Sequence, residues 1–364
     1  MLWIWVGFIA FVLVLLALDL GVFHRQAHVV SIREAFGWSA VWIALGLSFT
    51  LFVYHGYENQ WLGLGTTPDI ADRSPESPEG RPNDGRSAVL KYLTGYVVEK
   101  SLSVDNVFVI AMIFSVLAVP PIYQHRVLFW GILGALLLRG VMIGVGARLI
   151  ADFSWILYVF GAFLILTAVK MLVLSENTDP NHSPIVRLTR RAFAVTERFH
   201  GEHFFVRAGS PASAEAATPG GPTQDDAVVA KARPGTLLLT PLSLALVMVE
   251  STDVIFAVDS IPAIFAITGD AFLVFTSNVF AILGLRSLYF ALAGAIRQFR
   301  YLKVSLALVL GLVGVKMLAH SWLKSAFGPN VNLYLLVVIL AILATGVFAS
   351  WWQRPAMDAP SEPA

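Results

Sequence analysis

Residues 99–114 read EKSLSVDNVFVIAMIF and residues 246–267 read LVMVESTDVIFAVDSIPAIFAI. Both are the bodies of apolar helices, yet the first carries Glu99 and Asp105 and the second Glu250, Asp253 and Asp259. An acid at the centre of a membrane-crossing helix costs roughly 2.5–3.5 kcal/mol. Five of them would cost about 10–15 kcal/mol, comparable with the whole stability of a typical protein. A sequence keeps such a cost only where basic partners or a bound cation offset it.

Working outward, the remainder of the 364 residues explains why lipid is the relevant solvent. Hydrophobic residues make up 57% of the chain and charged ones 13%, too apolar for an ordinary soluble domain. The pattern predicts an all-α polytopic protein of about nine spans, near 2–22, 36–55, 91–118, 125–146, 153–174, 237–266, 271–294, 301–320 and 332–352. The first of these lacks a basic leader and a small-residue cleavage site, so it reads as a retained span and not a signal peptide. No long basic block is present, which argues against a nucleic-acid partner. The absence of cysteine removes disulfides and thiolate metal sites.

The implied organisation is an N-terminal pair of spans (1–55), a loop at 56–90, a first three-helix unit (91–174), a loop at 175–236, a second three-helix unit (237–320), a last span (321–352) and a tail (353–364). Residues 56–90 and 208–226 are poor in apolar groups and read as flexible. Within 183–207, Ile185, Leu188 and Ala192 alternate with Arg187, Arg190 and Arg191 as in a short basic amphipathic helix, followed by an extended FFV segment. This segment is the candidate contact surface for membrane protein partners. With the N-terminus outside, 14 basic residues fall on the inner side and 6 on the outer. The positive-inside rule thus predicts a bacterial-type inner-membrane protein with a cytoplasmic C-terminus.

An internal repeat organises the spans. Ile132-Leu133-Gly134 recurs as Ile282-Leu283-Gly284, and Val169-Lys170-Met171-Leu172 as Val315-Lys316-Met317-Leu318. The interval from Glu99 to the first ILG is 33 residues and from Glu250 to the second is 32, which pairs Glu99 with Glu250. Spans 3–5 and 6–8 are therefore copies of one three-helix unit. Three is odd, so the copies enter the membrane from opposite sides. Inverted repeats of this kind place substrate near the midplane, where the copies meet.

Glu250 and Asp253 share a helix face, while Asp259 points elsewhere on an unbroken helix. Pro262 frees the carbonyl of Val258, so Asp259–Pro262 reads as a break that starts a new half-helix. Asn106 beside Asp105, Asn278 in span 7 and Asp19 at the end of span 1 are auxiliary candidates. Every candidate ligand is an oxygen, which suits hard divalent ions such as Mg²⁺, Ca²⁺ and Mn²⁺. The competing reading is closure of the cluster by Lys100, Arg139, Lys170, Arg286 and Lys316. No Walker A, H-E-x-x-H or G-x-S-x-G motif is present, so nothing in the sequence argues for an enzyme.

EKSLSVDNVFV, VESTDVIFAVDSIPAIFAIT and FTSNVFAILGLRSLYF, with LDLGVFHR near the start and RFHGEHFFVR in the central loop, resemble the TerC/Alx family of membrane proteins. The resemblance covers most of the chain and implies a role in metal homeostasis, with manganese export as the activity and tellurium resistance as the historical label. The family's motif acids fall on Glu99, Asp105, Glu250, Asp253 and Asp259. The expectation is a secondary Mn²⁺ exporter, coupled to protons, that binds the ion through these acids and holds no permanent cofactor. The alternative is a membrane scaffold or metal-delivery partner acting through 183–207. Direct handling of tellurite fits poorly, because carboxylates repel an oxyanion.

Overall fold

The computed structural model describes residues 2–19, 31–72, 77, 79–153, 155–173, 187–189, 191, 193–214, 226–292, 301–328 and 331–352. Its long helices are α1 (Leu2–Leu18), α2 (Ile32–Glu58), α3 (Gly85–Val116), α4 (Pro121–Asp152), α5 (Ile156–Val173), α6 (Pro241–Phe265), α7 (Ala271–Leu283), α8 (Leu285–Leu292), α9 (Leu302–Leu318) and α10 (Val331–Trp352). Helices α2, α4, α5, α6, α10 and the α7–α8 pair are long and apolar enough to cross a membrane. α1 and α9 are apolar but only 17 residues each, about 26 Å at 1.5 Å per residue. α3 is longer and carries Glu99, Lys100 and Asp105. Leu13, Leu137, Leu166 and Val337 remain exposed on the outward faces, as expected where lipid and not water is the neighbour.

The two three-helix units interlock. The first helix of each packs on the second helix of the other, α3 on α7 and α4 on α6, while the third helices, α5 and α9, pack on each other. That exchange is what a pseudo-two-fold relation between inverted units requires. Small residues let the axes approach: a Cβ at Gly314 of α9 would lie 2.9 Å from the Gly161 carbonyl of α5. α1 and α2 wrap one side through a cluster that includes Phe8, Trp42, Tyr92, Phe272 and Phe280. On the other side Leu335 and Ile339 of α10 join the cluster around α5 and α9.

Three local expectations are corrected. First, α6 runs through Pro262 without a break and ends three residues later at Phe265, so the proline costs one backbone bond near the helix end and starts no new half-helix. The interruption lies in span 7, at Gly284 between α7 and α8.

Second, the loop at 56–90 is packed, not flexible, where it is described. α2 extends to Glu58, and α3 begins at Gly85, where Asp84 accepts the Ser87 N–H at 2.8 Å. Between them β1 (Pro68–Asp69) pairs antiparallel with β2 (Arg81–Pro82), and Leu64 and Asn83 are buried. Gly65 holds a positive φ with its α-carbon against the Asn83 carbonyl, where a Cβ would collide. Composition does not reveal this packing, because polar bonds to other segments hold the loop beside only a few buried apolar residues such as Leu64. Residues 73–76 and 78 lie outside the described set.

Third, the opposite face carries an ordered unit. β3 (Phe205–Arg207) pairs antiparallel with β4 (Leu237–Leu239), in line with the extended segment read there. Asp226 caps a short helix, Ala227–Lys231. Residues 187–189 and 191 of the expected amphipathic helix are helical, while 183–186, 190 and 192 lie outside the described residues, as do 215–225 and 353–364.

Candidate cation site between the repeats

Arg139 stands near the middle of α4 with 2% of its surface exposed. Its Nε and one terminal nitrogen donate to both oxygens of Asp253, at 3.1 and 2.7 Å. The other terminal nitrogen donates to Glu99 Oε1, to Asn278 Oδ1 at 3.2 Å and to Ser260 Oγ at 3.4 Å. Four helices from both repeats, α3, α4, α6 and α7, thus converge on one guanidinium. The planar fork of arginine suits this bidentate grip on a carboxylate, which a lysine could not reproduce.

The cluster is not neutral. Glu99 and Asp253 bring two negative charges to one positive, and Glu250 lies one turn before Asp253, packed where a Cβ on Gly134 would fall. Glu99 Oε2, Glu250 Oε2 and Ser103 Oγ accept or donate no hydrogen bond with a protein group among the described residues. Glu99 and Ser103 are both fully buried and sit one turn apart on α3. A small cavity of about 20 Å³ reaches Asp253 past Asn106 and Thr252, a size suited to one water or one ion.

The remaining basic residues of the repeats go elsewhere. Lys100 donates to the Ala281 carbonyl at 3.1 Å, covering the helix interruption at Gly284. Lys316 donates to the Ala266 carbonyl at the end of α6. Arg286 pairs with Asp19 at 3.0 Å, toward the opposite face. Lys170, although it shares its motif with Lys316, is exposed.

A second buried charge network closes the face that carries residues 59–84. Lys91, eight residues before Glu99 on α3 and so about 12 Å away along the axis, donates to Asp69 at 2.8 Å, to Asp72 and to Asn83. Asp69 also accepts from Thr268 and from the Gly269 N–H at 2.6 Å. Burial works against the Asp69 carboxylate, but the Lys91 ammonium and the hydrogen bonds outweigh it and lower its pKa to about 2. Asp270 caps α7 through the Phe272 N–H at 3.0 Å and accepts the Tyr57 hydroxyl at 2.8 Å. Burial raises its pKa, with the Tyr57 hydrogen bond opposing and the charge of Asp69 adding to the rise. The network joins loop 59–84 to the α6–α7 turn. The sequence carries no sign of it, because Lys91 stands at the start of the third expected span while Asp69, Asp72 and Asn83 fall in the polar loop before it.

The model of the integral membrane protein TerC family matches residues 84–357. The chain belongs to the TerC family. It is 46% identical over 348 residues to a membrane protein of unassigned role, STKORF319, of Myxococcus xanthus, covering 95% of this chain and 91% of the relative. It is 43% identical over 357 residues to Alx of Salmonella typhi, which carries the name of a proposed membrane-bound redox modulator, covering 98% of this chain and 96% of the relative. Alx of Escherichia coli K12 is 43% identical over 317 residues, 86% of this chain and 85% of the relative. No solved structure matches the chain.

In this TerC-family chain the sequence-derived site divides. Glu99, Asp253 and Asn278 meet at Arg139, Glu250 stands beside them and Asn106 borders the cavity. Asp105 and Asp259 are half-buried and make no ion pair with Arg139; Asp259 accepts the Thr167 hydroxyl at 3.2 Å. Asp19 belongs to the Arg286 pair. Among the described residues no group of three or more His, Asp or Glu is close enough to hold a metal ion by itself. The register of the repeat also differs by one residue from the spacing argument. Gly134 faces Glu250 while its counterpart Gly284 faces Lys100, so Lys100, not Glu99, is the structural equivalent of Glu250.

Proposed function

We propose that this chain is a secondary exporter of Mn²⁺. The observation that supports this reading is the buried, net-negative cluster at the seam of the two units, in which Glu99 Oε2 and Glu250 Oε2 lack protein donors among the described residues. Oxygen donors of this kind suit a hard divalent ion, and the seam of inverted repeats is where such transporters bind substrate. In this reading the N-terminus lies outside and the C-terminus in the cytoplasm of a bacterial-type inner membrane, and protons supply the counter-flow. With no cysteine, the chain has no thiol–disulfide exchange of its own, so redox modulation of the kind named for Alx would follow here from metal supply. Tellurium resistance would be indirect for the same reason. Purified protein in liposomes should move Mn²⁺, and Glu99→Gln or Glu250→Gln should abolish the flux. Undiminished transport by both variants would sink the assignment.

One observation favours a second reading, a scaffold or metal-delivery partner: the unit formed by 193–214 and 226–239 leaves Phe193 and Phe205 exposed. That reading predicts co-purifying membrane proteins that are lost when 183–207 is deleted while the acids of spans 3 and 6 remain intact.

A further inference from the structure

The guanidinium of Arg139 sits where a bound cation would be expected. Two carboxylates, one amide oxygen and one hydroxyl oxygen converge on it, and this is the donor set that a hard divalent ion takes. A purely structural ion pair would differ in two respects. Buried ion pairs are retained at a cost in desolvation and are best offset when every lone pair is satisfied. Here Glu99 Oε2 and Ser103 Oγ, in fully buried side chains, have no protein partner among the described residues. The charge also does not balance, with two carboxylates on one guanidinium and Glu250 one turn away.

The repeat supplies an independent argument. Counted from the two ILG motifs, the position equivalent to Arg139 is Tyr289. Tyr289 packs its ring 5.5 Å from that of Phe114 and donates to Gln124 Oε1 at 3.0 Å, so its hydroxyl meets an amide and not a carboxylate. The frame is duplicated but the guanidinium is not. One cationic side chain therefore serves acids drawn from both units, the place where a single transported ion would be shared.

We propose that Arg139 is a tethered substitute for the transported cation: it neutralises Glu99 and Asp253 when no metal is bound, a divalent ion must displace it to enter, and its return drives the ion off. This rests on the exporter reading and deepens it. Displacement keeps the acids from ever facing each other unneutralised in a buried site, where like charges repel strongly. It also weakens metal affinity, since the ion must compete with a partner held at very high local concentration.

The test measures binding and flux of Mn²⁺ with full-length protein, wild type, Arg139→Gln and Arg139→Lys, each confirmed folded by its elution profile and melting transition. Manganese chloride is the probe, read by the loss of the free-ion electron paramagnetic resonance signal. Arg139→Gln should bind Mn²⁺ at least about tenfold more tightly than wild type and export it more slowly, because release has lost its competitor. Arg139→Lys should fall between, since an ammonium cannot grip Asp253 through two parallel bonds. A structural role predicts the reverse, weaker binding from a disordered site. Unchanged or weaker affinity in a folded Arg139→Gln overturns the proposal while wild-type flux leaves the exporter reading standing. Should Arg139→Gln fail to fold, the same comparison with Arg139→Lys decides. If wild type neither binds nor moves Mn²⁺, both readings fall together.

Discussion

Replacing Asp69 by Asn isolates the charge that ties loop 59–84 to the α6–α7 turn. The Asp69 carboxylate is lowered from 3.8 to about 2. A shift of about two units at roughly 1.4 kcal/mol each amounts to about 2–3 kcal/mol of folding stability. Removing one partner of a buried ion pair typically costs about 3–5 kcal/mol, but Lys91 keeps Asp72 and Asn83, so the lower figure applies. At about 2 °C for each kcal/mol in a large chain, Asp69→Asn should melt roughly 4–6 °C below wild type in detergent at pH 7. The folded pKa is lower than the unfolded one, so the stabilisation is complete above about pH 4 and is lost as pH falls toward 2. The gap between the two proteins should therefore close over that interval, although both lose stability through their other acids. A gap below about 1 °C at neutral pH, or one equally wide at pH 2, refutes the assignment.

Two glycines should behave differently. A methyl group at Gly314 meets the Gly161 backbone, which cannot move aside, so Gly314→Ala should destabilise by about 1–3 kcal/mol in thermal melts. A methyl group at Gly134 meets only the mobile end of Glu250; Gly134→Ala should change stability by less than about 1 kcal/mol while lowering Mn²⁺ flux several-fold. Asp226→Ala removes the acceptor for the N–H groups of Glu197, Arg198, Val228 and Val229 and should speed proteolysis within 193–239 while leaving flux intact. Glu202→Gln breaks a pair with Arg126 whose side chains are 50% and 35% exposed, and its effect on the melt should stay within about 0.5 kcal/mol.

The spans and the repeat were legible because both follow from long apolar runs and short exact matches, which any fold at membrane depth preserves. The start of α3 was not: Gly85–Leu90 is too polar to look like part of a span and becomes helical through the Asp84 cap. The acids were legible as an energetic anomaly, but their partner was not, since nothing in one dimension says that Arg139, and not Lys170 or Arg286, reaches Glu99. Lys170 and Lys316 show the difficulty most directly. Identical tetrapeptides place one on the exposed surface and the other against the end of α6, on a helix that also packs on α10.

The one-residue register of the repeat has a consequence for direction. If the two units were identical, exchanging their roles would interconvert an inward-open and an outward-open form of equal energy, and the protein would favour neither side. Here the exchange carries Lys100 onto the position of Glu250, a change of two charge units at the two symmetry-related glycines. If the chain transports by such an exchange, as the exporter reading requires, the two open forms would differ in charge, with a lysine beside one glycine and a glutamate beside the other. Rocking between such forms would be a see-saw with unequal arms, and the inequality would give a symmetric scaffold a resting side.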